Sequence, residues 1–215
     1  MQLTHLGHSC VLVQTHQTRV LLDPGNFTPG FEAVRGLDAV AITHQHPDHV
    51  DLDRLPGLLA ANPGVRLLAE QSTVPQLGAL GLSCEALSPG EAVEVGDAHV
   101  EVVGGEHARI HEDIPLIGNV GLLISSDAGP VVFHPGDSYA TVPEGVDVLL
   151  LPLTAPWTSI RETVAFARAV GAPEAVPIHD GGASSGGRAV YLRLVGTLAE
   201  GVRLRDLAGA GAIDW

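Results

Sequence analysis

The chain has 215 residues, 45% of them apolar and 17% charged, which excludes a disordered polypeptide and is long enough for a buried core without disulfide support. All 11 basic residues are arginines, so Schiff-base chemistry on a lysine and a phosphate-loop lysine are both excluded. A net charge of −14 disfavours nucleic acid and anionic bilayers as partners and by itself names no other.

Short β-branched and leucine-rich runs bounded by Gly, Pro, Asp or Asn predict strands at 9–13, 19–22, 38–42 and 65–69. Further strands are expected at 98–103, 120–125, 130–133, 146–151 and 174–178. Helical periodicity predicts helices at 51–60, 74–80, 159–170 and 188–200. The third is the best delimited, with Thr158 or Ser159 as N-cap, Glu162 in the first turn, and Gly171 and Pro173 closing it.

The pattern is that of a mixed α/β chain, expected to form a single domain over 1–215. Its two halves are placed at 1–104 and 118–215. The polar stretch between them carries His107, Arg109, His111, Glu112 and Asp113 and is expected to be a surface loop over a site.

Cys10 and Cys84 are the only cysteines, which gives neither a disulfide framework nor a CxxC motif. The N-terminal residues show no signal-peptide pattern, and no apolar run approaches the roughly 20 residues needed to span a bilayer. A reducing cytoplasm is the expected compartment, where the sequon Asn26-Phe27-Thr28 has no meaning.

The chemistry concentrates in Thr43-His44-Gln45-His46-Pro47-Asp48-His49, directly after the strand predicted at 38–42. Alternation at a strand end turns His44 and His46 the same way, and Pro47 redirects the chain so that Asp48 and His49 approach from another side. Imidazole and carboxylate are the donors that suit zinc, manganese or iron. Three further candidates follow predicted strands: His107, Asp137 and His179.

Asp23 ends another strand and is expected to orient a ligand imidazole. His8 is a candidate pocket residue, and so is His134. His5, His16 and His99 are read as surface or structural. Gly182-Ala183-Ser184-Ser185-Gly186 matches the G-x-S-x-G nucleophile pattern, but no histidine follows His179 to complete a triad, and the segment is expected to be a flexible loop.

These residues resemble the metallo-β-lactamase superfamily, whose pattern is H-x-H-x-D-H, a distant His, an Asp in a Gly-Asp turn, and a final His. His44, His46, Asp48, His49, His107, Asp137 and His179 fill all seven places in order. Gly7-His8-Ser9, Leu22-Asp23-Pro24, Asn119-Val120-Gly121 and Pro177-Ile178-His179 extend the similarity to the UPF0173 and ascorbate-phosphate-lactonase-like metal-dependent hydrolases. Two departures are Asp180-Gly181, where that group has Tyr-Gly, and Gly136-Asp137-Ser138 in place of Gly-Asp-Thr.

The resemblance implies an αββα sandwich holding two divalent ions, zinc or manganese, with iron also tolerated. His44, His46 and His107 would hold one ion, Asp48, His49 and His179 the other, with Asp137 bridging. The implied activity is hydrolysis of an ester, lactone or related small-molecule bond, with Asp48 as the catalytic carboxylate that orients or deprotonates water. The alternatives are a phosphodiesterase or nuclease, a mononuclear iron oxygenase, and a non-catalytic metal-binding protein. The 105–118 loop and Leu153-Thr154-Ala155-Pro156-Trp157 are expected to wall the pocket, with Arg109 a candidate anion contact.

Overall fold

A computed structural model describes residues 1–127 and 129–215. It contains two mixed seven-stranded sheets. The first is built from β1 (Gln2–Gly7), β2 (Cys10–Gln14), β3 (Arg19–Leu22), β4 (Ala39–Ile42), β5 (Arg66–Glu70) and β6 (Glu85–Leu87). The second contains β7 (Ala92–Val95), β8 (Ala98–Gly104), β9 (Val120–Ser125), β10 (Val132–His134), β11 (Val148–Pro152), β12 (Glu174–Ile178) and β13 (Arg203–Leu204). The last strand, β14 (Ile213–Asp214), returns to the first sheet and pairs antiparallel with β1.

The sheets face each other across a continuous apolar layer. Val11, Val13, Val20 and Leu22 of the first sheet meet Val100, Val102, Leu122, Ile124, Val148 and Leu150 of the second, all at 1% exposure or less. Period-two alternation explains the inward set: in β8, Ala98, Val100 and Val102 are buried while His99 and Glu101 face out.

Helices cover the outer faces, completing the αββα order. Leu55, Leu58 and Leu77 of α1 (Leu55–Ala60) and α2 (Val74–Ala79) pack with Leu21, Val40 and Ile42. Val164, Phe166 and Ala167 of α3 (Ile160–Val170) and Val195 of α4 (Ser185–Leu198) pack with Phe133, Leu149 and Leu151. Glu162 closes a capping box on α3, its carboxylate accepting both the N–H and the hydroxyl of Ser159 at 2.8 Å.

Several boundaries differ from the sequence expectation. The change of sheet falls between β6 and β7, well before residue 104, because β8 pairs antiparallel with β9. Helix α1 starts at Leu55, because the Asp51 carboxylate takes the N–H groups of Asp53 and Arg54 in the preceding turn. Helix α4 starts earlier than residue 188. Ser184 caps it by accepting the Gly187 N–H, so the G-x-S-x-G segment is a helix start and not a flexible loop.

Candidate metal centre

Strands β3, β4, β8, β10 and β12 end at one rim of the sandwich, and every chemistry-bearing residue leaves from there. His44, His46, Asp48 and His49 follow β4, His107 follows β8, Asp137 follows β10 and His179 follows β12. Among the described residues, only His8, Asp23 and His179 combine a side chain with left-handed backbone, at φ 49°, 44° and 55°. All three sit at this rim, where such strain is held in place by surrounding contacts.

The side chains converge in two adjoining groups. His44, His46, His107 and Asp137 form one, and His8, Asp48, His49 and His179 the other, with candidate donor atoms inside each group within 4.8 Å of one another. Asp137 reaches both groups. Its Oδ1 lies 3.1 Å from His49 Nε2, and its Oδ2 lies 3.1 Å from His179 Nε2 and 3.5 Å from His107 Nε2.

Hydrogen bonding decides which nitrogens carry lone pairs. His49 Nδ1–H donates to Asp23 Oδ2 at 2.7 Å, His107 Nδ1–H to the Ala108 carbonyl at 2.6 Å, and His179 Nδ1–H to the Thr154 carbonyl at 2.8 Å. The Thr43 hydroxyl donates to Asp23 Oδ2 at 2.7 Å, so its oxygen accepts Nδ1–H of His44 at 3.1 Å. Each of these rings therefore turns Nε2 inward, the arrangement that fixes a metal-ligating tautomer.

The donor set fits a cation. His49 Nε2, His107 Nε2, His179 Nε2 and Asp137 Oδ1 are buried and make no directed hydrogen bond among the described residues. Leaving such groups unpaired costs about 1–3 kcal/mol each. Once the rings are neutral, a divalent ion would satisfy Nε2 lone pairs that no protein donor meets.

His8 has the opposite polarity. Its Nδ1 accepts the Gly181 N–H at 3.0 Å, so the proton is on Nε2 and is donated to Asp48 Oδ2 at 3.1 Å. Although His8 lies within the second group by distance, it presents a donor and not a lone pair. His134 stands behind the cluster: Nε2–H donates to the Ser9 carbonyl at 3.1 Å, and Nδ1 accepts the Gly136 N–H at 3.0 Å, bracing the turn that carries Asp137.

The electrostatics follow from burial and crowding. Burial, reinforced by His49, holds His44 well below the usual imidazole range. Burial also opposes charge on His49, but Asp137 and Asp23 outweigh it and lift its pKa well above the usual value. His179 is likewise raised, Asp137 overcoming burial. Burial would raise both carboxylates, yet His49 and His179 keep Asp137 well below its usual range. The His8 hydrogen bond, with His49, brings Asp48 to about 2.

Four supporting contacts had weak sequence signals or none. Trp157, expected only as a wall, donates its indole N–H to Asp137 Oδ2 at 2.7 Å. Asn119 Oδ1 accepts the Asp137 N–H at 2.8 Å, and the carbonyls of Ala108 and Thr154 act through backbone alone. Asp180 is held by Arg188, which bonds it at 2.6 Å and Asp206 at 2.7 Å, so it anchors the start of α4. Arg109 is exposed, and His111 lies in the same loop against Asp113. His5 is buried and donates Nε2–H to the His8 carbonyl, while His16 and His99 are exposed.

The sequence matches the family described as "Beta-lactamase superfamily domain" over residues 2–179. The chain belongs to the metallo-β-lactamase superfamily, in its UPF0173-like branch. It is 45% identical to Protein Rv0786c of Mycobacterium tuberculosis over 192 residues, 89% of each chain. It is 31% identical to a UPF0173 metal-dependent hydrolase of Methanospirillum hungatei, across 83% of this chain and 82% of that one. The fold also matches the crystal structure of the metallo-β-lactamase fold protein YhfI from Bacillus subtilis, with a TM-score of 0.76, 18% identity and 95% of each chain covered. No helix among the described residues is long and apolar enough to cross a membrane.

Proposed function

We propose that this member of a family of metal-dependent hydrolases cleaves a carboxylic ester or lactone of a small molecule at two divalent ions, zinc or manganese, with iron also suited to the donors. His44, His46 and His107 would hold one ion, Asp48, His49 and His179 the other, and Asp137 would span them. The reading is carried by the inward-facing Nε2 atoms of His49, His107 and His179, each fixed by an acceptor on Nδ1 and gathered on Asp137. Two such ions supply Lewis-acid polarisation of the scissile carbonyl and lower the pKa of water toward neutrality.

The chain's own groups do the rest. Asp48 is the carboxylate of the cluster with access to solvent, its side chain 24% exposed against 4% for Asp137. His8 donates to Asp48 Oδ2, and a carboxylate that held an ion through one oxygen would orient water and pass on a proton with the other. A pKa near 2 suits a relay better than a strong base. In the reaction a bond forms between the water oxygen and the acyl carbon. The acyl carbon–alkoxy oxygen bond breaks, and the water proton ends on the leaving oxygen. Trp157 and Asn119 hold Asp137 in position throughout.

The test is elemental analysis of native protein by mass spectrometry, paired with a substrate panel. Two equivalents of zinc, manganese or iron, with ester or lactone turnover abolished in His46→Ala, would support the reading. Preferential phosphodiester turnover would replace it with the nuclease alternative. Oxygen uptake with a single iron would replace it with the oxygenase. Tight metal binding without turnover would favour a non-catalytic role.

A further inference from the structure

A cavity of about 480 Å³ lies against the cluster, between the 106–109 loop, the segment after Asp137 and the exposed side of α3. Its walls include His107, Val142, Trp157, Ala165, Phe166 and Ala169. That volume falls in the usual range for small-molecule pockets, about 300–1,000 Å³. Residues 162, 165, 166 and 169 follow the spacing of one helix face. The two alanines on that face leave the space open where larger side chains would fill it.

The cavity and the cluster share two side chains. His107 lines the cavity and brings Nε2 within 3.5 Å of Asp137 Oδ2. Trp157 lines the cavity with its ring and donates its N–H to the same carboxylate. Any carbonyl presented to Asp137 and His107 therefore lies beside the cavity, within reach of its walls.

The surroundings are apolar and poor in positive charge. Among the described residues, seven large apolar side chains are exposed, and four of them ring this site. Phe27 packs its ring 5.1 Å from that of His8, Ile114 and Leu116 line a small cleft with His46 and His107, and Val142 lies in the cavity wall. The charged groups of the wall are Glu106, Arg109 and Glu162, and the Glu162 carboxylate is already engaged by Ser159. One guanidinium beside two carboxylates gives no net attraction for an anion.

We propose that this cavity binds an uncharged apolar substituent of the substrate, so that the substrate is an apolar ester or lactone and not a phosphorylated or carboxylated one. The proposal rests on the ester or lactone reading of the site. Apolar surface beside the cavity and in its wall gains free energy on being covered. Negative charge across the chain disfavours the anionic alternatives.

The test uses metal-loaded protein and two ester series: p-nitrophenyl acyl esters from acetate to octanoate, and alkyl acetates from ethyl to octyl. The expected result is a rise in kcat/KM of about two- to fourfold per methylene in one series until the cavity is full. The octanoate-to-acetate ratio, or its alkyl counterpart, should collapse toward unity in Ala169→Trp and fall in Val142→Glu. Both positions are exposed, so neither change disturbs the core. Calorimetric titration with 1-octanol reads binding without turnover, and Ala169→Trp should abolish it.

Flat series with no octanol binding would overturn the cavity proposal while leaving ester hydrolysis intact. Octanol binding that Ala169→Trp abolishes, with no ester or lactone cleaved, would overturn the ester reading and leave the cavity standing. Sedimentation showing that the wild type self-associates, with Val142→Glu monomeric, would give the apolar face to a second copy and overturn the proposal.

Discussion

The His179 N–H donates to the carbonyl of His8 across 2.8 Å, joining two left-handed residues that directly follow strands of opposite sheets, β12 and β1. Two residues further on, the Gly181 N–H bonds His8 Nδ1. These contacts set the His8 ring so that Nε2–H can point only at Asp48.

If the site holds two ions as proposed, His8→Ala should therefore weaken selectively the one held by Asp48, His49 and His179. With Asp48 released, binding of the second equivalent is expected to fall by about 10–100-fold, the usual cost of losing an outer hydrogen-bond partner. The first equivalent should be little changed. Competition titration against a chelator would measure both. His8→Gln, which keeps an N–H donor, should recover part of the loss.

Trp157→Phe keeps the wall but removes the donor to Asp137 Oδ2. A charge-assisted hydrogen bond contributes about 1.5–3 kcal/mol, so metal affinity should drop by about tenfold or more. kcat should fall more than KM, because the change acts on the carboxylate shared by the two donor groups and not on substrate binding. Equal loss in both parameters would mean that the indole serves the cavity alone.

Metal affinity should rise with pH. Asp137 and Asp23 hold the His49 pKa above the ordinary imidazole value, and Asp137 does the same for His179. A cation has to displace the protons held at Nε2. Affinity should therefore climb by about tenfold per pH unit for each proton displaced and level off once pH passes the raised values. Asp48 and Asp137 have lowered pKa values and stay ionised through this window, so they add no slope above pH 5. Zinc titrations between pH 5 and 9 would read the curve, and a flat profile would contradict the assignment of His49 and His179.

Gly25 lies against the backbone of the histidine-rich loop, and a Cβ there would stand 1.8 Å from the Asp48 carbonyl oxygen. Gly25→Ala must push the two segments apart, at a cost of about 1–3 kcal/mol for an overpacked site. A lower Tm together with reduced metal content is expected. A lower Tm with full metal content would show that the loop yields without moving Asp48 and His49.

Much of this architecture could be read in the chain because its functional side chains sit at the ends of strongly apolar strands. Val40 and Ile42 announce β4, and the histidines follow immediately; Ala175 to Ile178 announce β12 in the same way. The short edge strands were not legible. β6, β7, β13 and β14 have two to four residues each and bury few side chains, so periodicity has nothing to act on. β1 was hidden because one of its two buried positions is a histidine, His5. The acceptors behind His107 and His179 are main-chain carbonyls, which no residue type reveals. Cys10, buried and with burial pushing its thiol up, gave no chemical signal and carries none.

The chain has two indoles in unlike surroundings. Trp157 is bonded to the carboxylate between the two groups. Trp215, at the far end of β1, donates to Glu174 at 2.6 Å and stacks under Arg205 at 3.8 Å. A cation that draws charge from Asp137 changes the field on the first chromophore and leaves the second untouched. The molecule thus contains its own optical gauge of loading, with an internal reference built into the opposite edge of the sandwich.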